Sequence, residues 1–185
     1  MPKDAIPSPN RARAVFVLVQ TLGGAAVLGS YAHGLLTHAD AVEVLWGTTA
    51  PAVVDVYTKT MLAAAFGYFP FTILWLLHGP AMRLGDRPVM PVVSSLYALV
   101  LIPSALWMPL TFAAANSRSI VAYVAMRVAL VMVAAGSLGL LVVLLRARER
   151  PSRALFVAAV LGMAAFFLQT AILDAFVWPS LVPIL

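Results

Sequence analysis

The 185-residue chain has no cysteine and very little charge: Asp and Glu number 7, Lys and Arg number 12, and charged residues make up only 10%. Without thiols there is no disulfide scaffold, no thiolate metal site and no cysteine nucleophile. A soluble domain carries about 25% charged residues, so disordered tails and soluble nucleic-acid binders are excluded as well. Catalytic signatures are equally scarce. No HExxH, Walker A, GxSxG or GxGxxG motif occurs, and no serine has an evident His/Asp partner set. Histidines are limited to His33, His38 and His78. His33 falls near one end of the first apolar run and His78 at the far end of the second, so those two cannot share a haem iron. Nothing in the sequence calls for a metal or a cofactor.

What is present is hydrocarbon. Hydrophobic residues reach 63% and mean hydropathy is +0.98, more than a small core can enclose. Lipid must therefore be the solvent. A hydrocarbon layer about 30 Å thick needs about 20 apolar residues per helix, and five stretches qualify: roughly 14–36, 51–78, 92–114, 120–145 and 154–177. The runs are continuous rather than alternating, which predicts helices, not strands. The expected fold is all-α, a single domain forming an integral membrane bundle of five transmembrane helices.

The positive charges carry the orientation. Lys3, Arg11, Arg13, Arg83, Arg87, Arg146, Arg148, Arg150 and Arg153 flank one set of span ends; only Lys59, Arg118 and Arg127 fall toward the other. By the positive-inside rule the N-terminus is cytoplasmic and the C-terminus non-cytoplasmic. The pI near 10.1 then reflects basic loops lying against anionic lipid headgroups rather than nucleic acid. Gly29-Ser30-Tyr31-Ala32 also has the small-residue look of a cleavage site, but the apolar run before it exceeds a signal-peptide core, which favours a retained helix.

The first outer loop holds Asp40-Ala41-Val42-Glu43, the form of a capping box, followed by Val44, Leu45 and Trp46. It predicts a short amphipathic helix on the outer face with Trp46 at the interface. Pro70, Pro103 and Pro109 fall inside spans, where each removes a backbone hydrogen bond and tends to open space between helices.

Ionisable groups inside spans are costly and mark functional sites by default. Asp55 and Lys59 sit four residues apart near the outer end of the second span, where they can pair. Arg127 lies about 10 Å into the fourth at 1.5 Å per residue, and Asp174 lies in the outer part of the fifth with Gln169. Together these groups predict a polar chamber in the outer half, with Tyr57, Tyr123 and Trp107 as aromatic walls. Gln20 is the chief polar residue of the inner half, too little to continue a proton path, and no inverted repeat is evident.

The segment Ser104-Ala105-Leu106-Trp107-Met108-Pro109-Leu110-Thr111-Phe112 resembles the Trp-x-Pro-Leu-Phe-Phe stretch in the third helix of the TspO/translocator-protein family, the tryptophan-rich sensory proteins. The layout of five spans with a longer first outer loop and a proline-started second helix is similar too. The departures are Ser104 where the family has Asn, and the missing Lys-Pro-x-Trp-x-Pro-Pro stretch of the first loop, where only Trp46 and Pro51 stand. The resemblance implies a homodimer that binds porphyrin, haem or sterol among the helices beneath the first loop, with Trp107 as pocket wall and Pro109 as kink. Val121, Tyr123 and Arg127 fit the loose cholesterol-contact pattern, but on the fourth helix rather than the last. The leading expectation is a membrane protein that takes a hydrophobic small molecule, with the Arg127 or Lys59 cation facing the ligand's carboxylate. The alternatives are a structural or assembly subunit and a lipid-modifying intramembrane enzyme.

Overall fold

The structure, a computed structural model, describes residues 8–148 and 152–182; Lys3 and Arg150, two of the basic residues that set the expected orientation, lie outside them. The elements in chain order are α1 (Pro9–Thr37), a short α2 (Ala41–Trp46), α3 (Pro51–His78), a two-stranded hairpin of β1 (Arg83–Leu84) and β2 (Arg87–Pro88), α4 (Met90–Ser117), α5 (Ile120–Arg146), α6 (Arg153–Phe167), a π-helical segment (Leu168–Val177) and α7 (Trp178–Leu181). The five spans are α1, α3, α4, α5 and the continuous rod from Arg153 to Leu181. Each has 27–29 residues, about 40–43 Å at 1.5 Å per residue, which matches a bilayer with its headgroup zones. All but α3 run a few residues beyond the apolar stretches, because backbone hydrogen bonding continues through polar ends such as Arg11 and Arg13.

The helices form an all-α bundle in which α1 packs on α4, α4 on α5, α5 on the fifth rod and the fifth rod on α3. Contact between α1 and α3 is sparse, and its hydrogen bonds lie toward the hairpin end. There Tyr68 Oη donates to Gln20 Oε1 at 2.5 Å, and Arg13 Nη2 donates to the Leu77 carbonyl at 3.5 Å. The tightest approach is between α3 and α6, where Gly67 and Gly162 face each other so closely that a Cβ on Gly67 would stand 2.7 Å from the Gly162 carbonyl oxygen. Small residues let membrane helices meet backbone to backbone.

Outward faces are greasy. Leu22, Leu28, Phe66, Phe69, Leu161 and Phe176 are all exposed, which only lipid tolerates on this scale. The bundle is an integral, multi-pass membrane protein. Its interior divides into two apolar clusters. One, toward the hairpin, is built on Phe16, Phe71, Trp75, Met90, Tyr97 and Leu140. The other, toward α2, is built on Leu45, Tyr57, Met108, Phe112, Met126 and Trp178. Hydroxyl pairs stitch the helices together: Thr72 with Tyr97 and Thr170 with Ser137, each at 2.9 Å.

The connections are tight. Arg118, in the left-handed region at φ 50°, caps α4, and Ser119 starts α5 by accepting the Ala122 N–H. The hairpin turns at Gly85, whose φ of 63° suits a residue without a side chain, and Arg148 N–H donates to the Arg83 carbonyl at 2.9 Å. The expected helix in the first loop is present as α2, but its expected cap is not. Asp40 makes no side-chain capping bond, and backbone bonds, Val44 N–H to Asp40 and Gly47 N–H to Glu43, hold the turn instead.

Candidate functional site

The α2 end of the bundle gathers aromatic rings from five elements. Trp107 of α4 lies 5.8 Å from the Tyr31 ring of α1 and meets Trp178 of α7 edge to face at 5.4 Å. Trp46 of α2 packs edge to face on Tyr57 of α3, also at 5.4 Å. Such pairs are worth about 0.5–1.5 kcal/mol each beyond area burial. Trp178 is 3% exposed and its Nε1 donates to the Leu45 carbonyl at 2.9 Å. That bond closes α2 over the cluster as a cover.

The polar groups of this end are incompletely satisfied. Trp107 Nε1, Arg127 Nη1 and Gln169 Oε1 are shut away from the surface without a hydrogen-bond partner, as are Gln20 Nε2 and Trp75 Nε1 toward the hairpin, while Tyr57 Oη lies against the Trp178 backbone. Buried polar atoms in native proteins are nearly always paired, and each exception calls for a water, an ion or a ligand. Tyr57 and Gln169 are each 4% exposed.

The π-helical segment makes one of these arrangements possible. Gln169 Nε2 donates to Asp174 Oδ1 at 2.8 Å across five residues. In an α-helix residues five apart point about 140° away from each other. The i→i+5 repeat of a π-helix returns them to one side, and the Trp178 N–H to Leu173 carbonyl bond at the end of the segment has the same five-residue spacing. Asp174 also lies within electrostatic reach of Tyr31 and Tyr57.

The expected chamber residues divide. Tyr57, Trp107, Tyr123 and Trp46 belong to the α2-end cluster, and Asp174 is within electrostatic reach of its Tyr31 and Tyr57. Trp46 is half-buried against Tyr57 rather than lying on the surface as an interfacial anchor. Asp55 and Lys59 do not join them. They pair with each other at 2.6 Å, with side chains 60% and 72% exposed, on the outer surface of α3, because α3 turns its Tyr57 face inward. Arg127 makes no ion pair with Asp174; Lys59–Asp55 is the one salt bridge among the described residues. Pro109 is exposed and lines a cleft of about 260 Å³ between α1 and α4, together with Ser30, Gly34, His38, Phe112 and Asn116. His38 stacks flat on Phe112, 3.8 Å between centroids. Tyr31 and Trp178 are the site residues that the sequence did not single out. The signal was an aromatic residue near the α2 end of the first and fifth runs, but nothing local says that either ring turns inward.

An exposed i,i+4 pair contributes only about 0.3–0.5 kcal/mol. The double variant Asp55→Ala/Lys59→Ala is therefore expected to shift Tm by no more than about 2 °C in a detergent melt. A drop above 5 °C would show that the pair meets a buried partner.

Compared with family models, curated proteins and solved structures, the chain matches none. The class of protein is thus defined by fold alone: a five-helix integral membrane protein with a covered aromatic cluster at one end.

Proposed function

We propose that the protein binds an apolar or amphipathic small molecule at the α2 end of the bundle, beneath the α2 cover. The observation that carries this reading is the covered cluster of aromatic rings from five elements, with the enclosed, unpartnered polar atoms of Trp107 and Gln169 in it. Aromatic walls with a few convergent polar groups are the usual make-up of a small-molecule site. The neighbouring cleft of about 260 Å³ between α1 and α4 falls below the roughly 300–1,000 Å³ of ligand pockets, so a porphyrin- or sterol-sized guest requires the bundle to widen at this end. The resemblance of the Trp107–Pro109 segment to the TspO/translocator-protein family supports the same location, and with it the porphyrin or sterol class and a homodimer.

Titration of purified protein with a porphyrin and with a sterol, followed by tryptophan fluorescence, tests the proposal. Saturable binding that Trp107→Ala weakens at least tenfold is expected. Absence of saturation with either, together with stoichiometric co-purification of a membrane partner, would favour an assembly subunit instead.

The same reading puts the α2 end on the non-cytoplasmic side, supported by Arg83, Arg87, Arg146, Arg148 and Arg153 at the hairpin end. The chain has no cysteine, so single thiols report topology directly. A membrane-impermeant maleimide is expected to label Asp40→Cys in intact cells and Asp86→Cys only after permeabilisation; the reverse pattern would invert the assignment.

A further inference from the structure

We infer that the α2-end site is built for a protonated primary or secondary amine, seated between the Asp174 carboxylate and the Gln169 side-chain carbonyl; this rests on the pocket reading above but replaces the porphyrin or sterol class that the resemblance suggested. Asp174 is half-buried, yet no Lys, Arg or His among the described residues forms a salt bridge with it. A lone carboxylate at membrane depth calls for a partner. Its one hydrogen bond comes from Gln169 Nε2, and this fixes the amide's orientation, because a carboxylate oxygen accepts and the NH₂ group must donate. Gln169 Oε1 is left as an acceptor with no donor. Tyr57, whose hydroxyl lies against the Trp178 backbone, is within electrostatic reach of the same carboxylate.

What is missing at this point is positive charge carrying N–H groups. An ammonium supplies both, to the carboxylate and to Oε1, whereas a quaternary ammonium has no N–H and a carboxylate ligand would be repelled. The rings suit a cation as well. Tyr31 and Tyr57 are within electrostatic reach of the carboxylate, Trp178 follows Asp174 by four residues, and Trp107 bridges Tyr31 and Trp178. Aromatic faces attract ammonium groups by about 0.5–2 kcal/mol. The Arg127 and Lys59 cations, which the sequence offered to an acidic ligand, are not paired with Asp174, and Lys59 is engaged by Asp55 on the outer surface. Asp174 is therefore left without a cationic partner among the described residues.

The test uses the full chain in maltoside detergent at neutral pH, where an alkylamine is protonated, and titrates four probes that share one ring: 2-phenylethylamine, its trimethylammonium analogue, 2-phenylethanol and phenylacetate. Tryptophan fluorescence and Tm are read in parallel. Phenylethylamine is expected to saturate and to raise Tm, the trimethyl analogue and the alcohol to bind at least tenfold more weakly, and phenylacetate not to bind. Asp174→Asn, which keeps the shape and can still accept from Gln169, is expected to weaken phenylethylamine at least tenfold while eluting as wild type on size exclusion. Equal affinity for the amine and the alcohol, or an unchanged affinity in Asp174→Asn, would overturn the inference. If the alcohol saturates and loses its binding in Trp107→Ala but not in Asp174→Asn, the pocket stands and the amine assignment falls. If no probe saturates, both fall. Competition by lysophosphatidylethanolamine against the bound amine identifies an ethanolamine lipid as the source; its failure to compete identifies a free amine.

Discussion

Gly162→Leu is expected to abolish the native bundle: no monodisperse peak on size exclusion in mild detergent and no cooperative melt. A Cβ at Gly162 would run into the Gly67 carbonyl, and one at Gly67 would stand 2.7 Å from the Gly162 carbonyl oxygen and 2.9 Å from its Cα. These obstacles are backbone, not the movable end of a side chain, so α3 and α6 have to separate along their whole contact. Overpacking by a methyl or two usually costs about 1–3 kcal/mol, and a leucine at a backbone crossing exceeds that range. Gly162→Ala is the graded version, expected to lower Tm by several degrees. Gly24 is the control: a Cβ there meets nothing within 4 Å, so Gly24→Ala is expected to melt as wild type. A Gly162→Leu protein with an unchanged Tm would show that the α3–α6 crossing is not as close as described.

Trp178 carries the second large effect. Its ring is almost fully buried in the α2-end cluster, meets Trp107 edge to face and ties α2 to the bundle through the Leu45 carbonyl. Trp178→Ala removes all three and is expected to cost about 3–5 kcal/mol, as large aromatic truncations do. Trp178→Phe separates the roles. It keeps most of the packing but leaves the Leu45 carbonyl without its donor, a loss of about 1–3 kcal/mol concentrated on the cover. Hydrogen exchange across residues 41–46 is then expected to accelerate by tenfold or more, with rates in α4 and α5 little changed. Uniform acceleration throughout the bundle would show that α2 is a passive part of one cooperative core.

The number and limits of the spans were legible because a helix in lipid satisfies its own backbone and asks only for about 20 apolar residues; the second run, 51–78, coincides with α3 to the residue. Facing was not legible. A rod that is apolar all round carries no stripe to show which side meets protein and which meets acyl chains. Asp55 and Tyr57 sit two residues apart in the same run, yet one points to the surroundings and the other into the cluster. The π-helical segment was hidden for a similar reason. Leu168–Val177 reads as ordinary helix, since the wider turn costs no change of composition, and only the Gln169–Asp174 bond across five residues exposes it.

Membrane residence, the number of crossings and the gathering of positive charge follow from residue order alone, because they are sums over composition and run length. Which of the few polar groups meet follows from packing. That choice depends on helix rotation and on a close approach such as Gly67 against Gly162, both set by contacts between residues far apart in the chain. The same packing turned Lys59 outward, left Asp174 without a salt bridge among the described residues and brought Tyr31 and Trp178 inward against Trp107.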